Sequence, residues 1–133
     1  MKISHLILIC FLFVSCEKDN NKAYLREGYI VGFDPCTIRN NYDTGYVIIT
    51  TDLKDTLMTY NFPDTIFSFP SEYFLNYINS GYFPVEARYE FKIRITYSVA
   101  KESEKIYNLC TADINLSEFN NALQVITKSA SKY

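Results

Sequence analysis

Four cysteines, Cys10, Cys16, Cys36 and Cys110, are the residues of this chain with the widest chemical repertoire. A cysteine acts as a nucleophile only as a thiolate, which needs a nearby base or positive charge. The single histidine, His5, lies near the start of the chain, in the same segment as Cys10. The sequence therefore predicts structural or modified cysteines rather than a catalytic thiol.

The segment around Cys10 has the pattern of a secretory signal. A run of consecutive apolar residues, 6–14, follows Lys2. As a helix this run would extend about 14 Å, whereas the apolar core of a bilayer is roughly 30 Å thick. A short basic start, an apolar run of this length and a small residue before the cut are typical of a signal peptide.

The stretch LFVSC, residues 12–16, resembles the lipobox of bacterial lipoproteins, with Phe13 where leucine is the usual residue. The resemblance implies that residues 1–15 are removed, that Cys16 is lipidated, and that the protein is anchored in the cell envelope, with the outer membrane as the expected site. Several acyl chains on one residue anchor a protein stably. A plain secreted protein with a free Cys16 is the alternative.

Residues 16–23 then form a polar tether, and residues 24–133 a single β-rich domain. The tether can reach at most about 25 Å. Its triplet Glu17-Lys18-Asp19 is similar to export signals of surface lipoproteins in bacteroidetes-type bacteria.

Export also bears on the two remaining cysteines. Two cysteines in an exported domain most simply pair, so we expect a disulfide between Cys36 and Cys110. It would close a loop of about 74 residues and stabilise the fold by roughly 4 kcal/mol in the chain-entropy model. Two buried free thiols are the alternative.

Charge and composition exclude one class of partner and favour one class of fold. The net charge is −2 and no basic cluster exists, whereas nucleic-acid binding requires clustered Lys and Arg. We therefore expect no nucleic-acid partner. The 12 Tyr and 10 Phe favour strands over helices.

The strongest structural pattern is RYEFKIRITYSV, residues 88–99, in which apolar and polar residues alternate without a break. This alternation predicts a half-buried antiparallel strand whose polar face is either solvated or a charged ligand surface. Shorter patterns predict further strands at residues 28–33, 45–51, 56–62, 105–109 and 123–127.

One helix is predicted over residues 68–81, with Ser68 as its cap and Gly81 at its end. The resulting order, strand-strand-strand-helix-strand-strand, resembles the OB-fold, a small Greek-key barrel. The expected fold is thus mainly β: a small antiparallel OB-like barrel with one helix. An open antiparallel sheet or a sandwich packed by one helix would give the same order.

The sequence offers little for catalysis, metals or cofactors. With His5 removed there is no histidine for a catalytic triad or a zinc site, and we expect no metal and no cofactor. Paired carboxylates or a calcium loop in NNYDTG, residues 40–45, are the alternatives that the acidic residues offer. Turn formation explains the candidate aspartates better; they are Asp34, Asp43, Asp52, Asp55 and Asp64.

Two surface hypotheses remain. Tyr77, Tyr82 and Phe83, around the predicted helix end, could stack on a glycan or a peptide, although aromatic residues in a β-domain are by default core. Thr56 and Thr65 lie in Asp-Thr-apolar triplets similar to O-glycosylation sites of exported bacteroidetes-type proteins.

We therefore expect a lipid-anchored, non-enzymatic binding or accessory module of the cell envelope; the sequence does not identify its ligand, for which a glycan and a peptide are the candidates. The alternative is a structural or assembly lipoprotein that docks a protein partner in an envelope complex. A carboxylate-based enzyme comes third.

Overall fold

The computed structural model describes residues 22–38, 44–75, 81–107, 119 and 121–133. Five strands dominate it: β1 (Tyr24–Phe33), β2 (Tyr46–Thr50), β3 (Thr56–Thr59), β4 (Lys92–Val99) and β5 (Leu123–Lys132). One short helix, α1 (Pro35–Ile38), follows β1. Three 3₁₀ turns lie at Ser71–Phe74, Val85–Ala87 and Glu102–Glu104.

The strands close into a barrel in the order β1-β2-β3-β5-β4. The predicted mainly β, OB-like barrel is therefore confirmed, and the open sheet and the sandwich are excluded. Every pair is antiparallel except β3 and β5. In a ring with an odd number of strands, directions cannot alternate all the way round, so one neighbouring pair must run parallel.

The strand ends differ from the sequence prediction in ways that pairing explains. β1 begins at Tyr24 because it pairs with β4 from that residue, Tyr24 lying opposite Tyr97. β5 continues to Lys132 through a polar stretch, because its pairing with β4 extends to Ile93. These ends depend on neighbouring strands rather than on the local pattern.

Two strand predictions were wrong in part. The alternating pattern begins at Arg88, but β4 begins at Lys92, and Tyr89 lies in a turn with 59% of its surface exposed. The amide of Glu90 donates to the carbonyl of Ala87, which continues the preceding 3₁₀ turn. Residues 105–107 are not a strand, and 108–109 lie outside the described residues.

The main core fills the barrel and is closed at one end by aromatic rings. Ile93 and Ile95 of β4 point inward and are fully buried with Ile30 and Ile48. The connection from β3 to β4 supplies most of the rings that pack beneath them, namely Phe62, Phe67, Phe69, Tyr73, Phe74, Phe83 and Phe91. The unusual Phe content thus closes the end of a small barrel.

The helix predicted over residues 68–81 is not formed in its described part. Ser68 does not cap it: the chain is extended at Pro70 (φ −57°, ψ 133°), and only the 3₁₀ turn Ser71–Phe74 follows. Phe67 and Phe69 instead direct their rings into the core. Residues 76–80 lie outside the described part. Within the described part, no helix has the length and apolar character needed to cross a bilayer.

Candidate functional site

The outer face of β1, β2 and β3 is covered by the chain itself. Val31, Val47 and Met58 are buried there in a second hydrophobic cluster. Tyr82 and Phe119 pack over it, with ring centroids 5.3 Å apart. In OB-type barrels the face of strands 2 and 3 is the usual ligand surface. In this chain a ligand would reach that face only if the cover moved away.

Backbone contacts hold this cover on β1. A bulge at Val31 turns the end of the strand outward. The amide of Phe33 then donates to the carbonyl of Gly81, and the amide of Phe83 to the carbonyl of Val31, both at 2.8 Å. A Cβ atom on Gly32 would lie 2.3 Å from the Gly81 oxygen. Glycine is therefore required at position 32 for this approach.

On the other side of β3, the parallel junction with β5 is unusually short. The backbone ladder consists of two residue pairs, Leu57–Leu123 and Met58–Gln124. Beyond this ladder, the side chain of Asn61 bonds the main chain of Thr127 in place of a backbone group of β3. Its Oδ1 accepts from the Thr127 amide and its Nδ2 donates to the Thr127 carbonyl, both at 2.9 Å. We call this junction the seam.

Two buried hydroxyl groups strengthen the seam from inside. The Oγ1 atoms of Thr59 and Thr127 are 2.8 Å apart, and both residues are buried. Thr59 Oγ1 also donates to Asn61 Oδ1 at 3.0 Å. Buried hydroxyls without partners would cost free energy, so these mutual bonds allow a polar junction inside the barrel wall.

A pocket of about 160 Å³ lies beside the seam, where the β3–β5 ladder has ended. Its apolar lining comes from Ala100, Ile106, Val125 and Ile126, and its polar lining from Tyr60, Asn61, Glu104 and Gln124. We call it the seam pocket. An apolar lining with a few placed polar groups is the usual composition of a binding site.

The polar groups of the seam pocket are held by hydrogen bonds. Gln124 accepts from the amide of Ile106 at 2.9 Å and donates to its carbonyl at 2.8 Å. Glu104 Oε2 accepts from the amide of Lys101 at 2.8 Å. The rim is therefore preorganised, and a ligand would lose little free energy in ordering it.

Apolar residues are exposed around this pocket. Ile106 has 43% of its surface exposed, Tyr107 70% and Leu123 41%. Ile106 lines the pocket, and the other two directly adjoin lining residues in the chain. Ile106 thus places an exposed apolar side chain at a concavity, which is typical of an interaction surface.

Glu102 fixes the outer edge of this surface. Its carboxylate accepts from Lys105 Nζ at 2.6 Å and also from the Tyr107 hydroxyl. The hydrogen bonds from Lys105 and Tyr107 lower the pKa of Glu102 below its ordinary value of 4.5. The bond to Glu102 raises the pKa of Lys105 and that of Tyr107. The Tyr107 ring is thus oriented although it is exposed.

Cys36 is disulfide-bonded and buried at the start of α1. Its expected partner Cys110, the lipidation candidate Cys16 and the aromatic candidate Tyr77 all lie outside the described residues. The pairing of Cys36 with Cys110 and the lipidation of Cys16 stay predictions.

The other two aromatic candidates have different surroundings. Phe83 has 1% of its surface exposed and packs in the main core, so it cannot offer a ring face to a ligand without leaving the core. Tyr82 is half-buried between Phe119 and Arg88, whose guanidinium carbon lies 4.8 Å from the Tyr82 ring centroid. Tyr82 therefore belongs to the cover of the β2–β3 face.

The two glycosylation candidates also differ. Thr65 is exposed in a turn, where a modifying enzyme could reach it, whereas Thr56 is half-buried at the start of β3. Both modifications stay predictions.

Of the candidate aspartates, Asp43 lies outside the described residues, and Asp34 and Asp52 have hydrogen-bond partners. The Asp34 carboxylate is buried and accepts from the Cys36 amide at 2.9 Å and the Tyr60 hydroxyl at 2.8 Å. Asp52 accepts from Thr50 Oγ1 at 2.6 Å, which lowers the pKa of Asp52. Among the residues described, no three acidic, cysteine or histidine side chains converge as metal ligands would.

Asn61, Gln124, Ile106 and Tyr107, which form the seam pocket and its rim, were not anticipated from the sequence. Asn61 and Gln124 lie within the predicted strands 56–62 and 123–127, and their bonds to Thr127 and Ile106 follow from contacts between distant parts of the chain. An apolar pair behind the charged run KESEK was the available signal, and it was interpreted as a strand.

No family model, curated protein or solved structure matches this chain significantly.

Proposed function

We propose that this protein is a lipid-anchored, non-enzymatic accessory module of the cell envelope that binds a protein partner at the seam pocket. The observation that carries the proposal is the seam pocket itself: an apolar concavity with a preorganised polar rim and exposed Ile106, Tyr107 and Leu123 beside it.

The size of the pocket favours a peptide over a small molecule. Its volume of about 160 Å³ is below the roughly 300–1,000 Å³ of pockets that enclose whole ligands. A pocket of this size instead accepts one side chain of a larger partner. Protein interfaces commonly concentrate their affinity in such an anchor residue, surrounded by contacts that exclude water.

The location in the envelope has separate support. The lipobox-like residues 12–16 imply an anchor at Cys16, and a disulfide at Cys36 is typical of a protein that folds outside the cytoplasm. The two features are independent, because one is a processing signal and the other a property of the folded domain.

Binding by strand addition at an open sheet is less well supported. Each strand of the closed barrel has two neighbours. Among the described residues, the stretches that pair on one side only include the start of β1, residues 24–26, and the outer edge of β5 beyond Thr127, which carries Lys128 and Lys132. Lysines on an edge strand oppose pairing with another strand.

The proposal is tested by substituting the pocket rim. We expect Ile106→Asp to reduce the amount of partner that co-purifies from detergent-solubilised envelopes by at least about tenfold, the usual effect at an anchor site. Val85→Asp is the matched control, because Val85 is 67% exposed and lies outside the pocket. Equal recovery with both variants would contradict the proposal.

Anchoring is tested separately. We expect the protein to partition into detergent and Cys16→Ser to partition into water, since a signal peptide without its cysteine cannot be lipidated. Detergent partitioning that is unchanged in Cys16→Ser would rule out the anchor.

A further inference from the structure

A second surface, on the opposite side of β5 from the seam, combines cations with exposed aromatic rings. It is the outer face of the β1–β4–β5 sheet, and its polarity follows from the strand register. Because Ile93 and Ile95 are buried inside the barrel, Lys92 and Arg94 must point outward. Lys92 has 31% of its side chain exposed and Arg94 52%.

Tyr133, the residue directly after the neighbouring strand β5, lies against both cations. Lys92 Nζ is 3.6 Å from the ring centroid of Tyr133, and the guanidinium carbon of Arg94 is 5.0 Å from it. Both distances are within the range of a cation–π contact. Tyr133 nevertheless has 62% of its surface exposed, so much of the residue remains open to a ligand.

The other side of Lys92 is also aromatic. Tyr29 lies opposite Lys92 in the β1–β4 register and packs edge-on against Tyr89, with centroids 5.3 Å apart. Residues opposite each other on adjacent strands share a face. Three adjacent strands therefore present an aromatic ring, a cation and a second aromatic ring in one row.

The next row supplies hydrogen-bonding groups. Glu27 accepts from Arg94 at 3.2 Å and lies 3.6 Å from Lys92. Ser131 lies opposite Arg94 on β5 and is exposed. Among the side chains of this surface, the two cations Lys92 and Arg94 therefore face the one carboxylate of Glu27.

We infer that this face binds acidic saccharides. A sugar ring stacks its apolar face on an exposed aromatic ring such as that of Tyr133. The hydroxyls of the sugar hydrogen-bond to planar donors and acceptors such as those of Arg94 and Glu27. The carboxylate of an acidic sugar is attracted to the cations of Lys92 and Arg94. The face is separate from the covered β2–β3 surface that OB-type barrels ordinarily use.

The test is a glycan array of uronic-acid, sialylated and neutral oligosaccharides, probed with the lipid-free full domain. We expect retention of acidic glycans only, and weaker retention at high salt because the contacts are exposed. Arg94→Gln should lower the affinity for the retained glycans at least about tenfold, the loss of a charged hydrogen bond. Tyr133→Ala should lower it roughly fivefold.

Arg26→Gln is the matched control. Arg26 is an exposed arginine of β1 that lies opposite inward-facing Ile95 and so on the other face of the sheet. The Arg26→Gln substitution removes the same charge as Arg94→Gln and should leave the retention of acidic glycans unchanged. Failure to retain any acidic glycan, equal retention of neutral glycans, or equal loss in Arg26→Gln and Arg94→Gln would overturn the inference.

Discussion

At the scale of single residues, polar side chains act as substitutes for backbone in two places. Asn61 bonds both the amide and the carbonyl of Thr127, and Gln124 does the same for Ile106. An amide side chain carries the same donor and acceptor as a peptide group. Each therefore fastens a segment that cannot align its own backbone with a strand.

The buried pair Thr59–Thr127 gives a prediction by double-mutant cycle. Thr59→Val leaves the buried Thr127 hydroxyl without its partner and should lower the free energy of unfolding by about 1–3 kcal/mol. Thr127→Val should cost less, because the Thr59 hydroxyl keeps its bond to Asn61 Oδ1. The double variant should cost clearly less than the sum of the two, because both polar groups are gone. Urea denaturation measures the free energy of unfolding of the two single variants and the double variant. If the loss in the double variant equalled the sum of the two single losses, the hydroxyls would not interact.

The Glu102 cluster gives a prediction of pH dependence. Hydrogen bonds lower the pKa of Glu102 in the folded protein. The contribution of Glu102 to stability is therefore fully present above pH 4.5, its ordinary pKa, and is lost as the pH falls through the lower pKa of the folded state. We expect the Tyr107 ring and Lys105 to be released in that range. NMR titration between about pH 6 and pH 3 should show both side chains shifting together. In Glu102→Gln the two shifts should be absent.

At the scale of elements, the barrel strands were largely predictable and their partners were not. Alternation identified β4, and apolar runs identified β2, because burial on one or both faces leaves a local pattern. In its described part the helix predicted over residues 68–81 was wrong, because Phe67 and Phe69 pack into the core ahead of Pro70 and only the 3₁₀ turn Ser71–Phe74 follows. The seam pocket could not be predicted, since it depends on where a parallel ladder between distant strands stops.

The contact between Gly32 and the cover is the element-scale test. In Gly32→Ala the added Cβ meets the Gly81 carbonyl at 2.3 Å, and backbone must shift. We expect the free energy of unfolding to fall by about 1–3 kcal/mol, as in other overpacked sites. Hydrogen exchange should accelerate at the amides of Phe33 and Phe83, which bond across this contact.

Ser131→Ala, on the exposed end of β5, is the control and should change stability by less than about 0.5 kcal/mol. If Gly32→Ala left the exchange of Phe33 and Phe83 unchanged, the cover would not depend on that close approach.

At the scale of the whole molecule, one cross-link and one anchor define the proposed state of the protein. Cys36 is buried, disulfide-bonded and hydrogen-bonded through its amide to Asp34, which also accepts from Tyr60 of the segment after β3. The cross-link therefore attaches to a part of the chain that is already tied to the barrel. A disulfide at Cys36 agrees with the prediction from cysteine number and export, and its pairing with Cys110 stays a prediction.

Pairing with Cys110 is the whole-molecule prediction. Peptide mapping without reduction should recover one fragment that joins the Cys36 and Cys110 peptides. Reduction should lower the free energy of unfolding by about 2–4 kcal/mol. Labelling of both cysteines by iodoacetamide in the unreduced, denatured protein would contradict the pairing.

The central claim, that the seam pocket binds a protein partner, is tested most directly by site-specific photo-cross-linking in living cells. A photoreactive residue at Tyr107, beside the pocket, is compared with one at Val85, which is equally exposed but lies outside it. We predict a discrete cross-linked protein from position 107 and none from position 85. The absence of a product at 107, or the same product at both positions, would contradict the account.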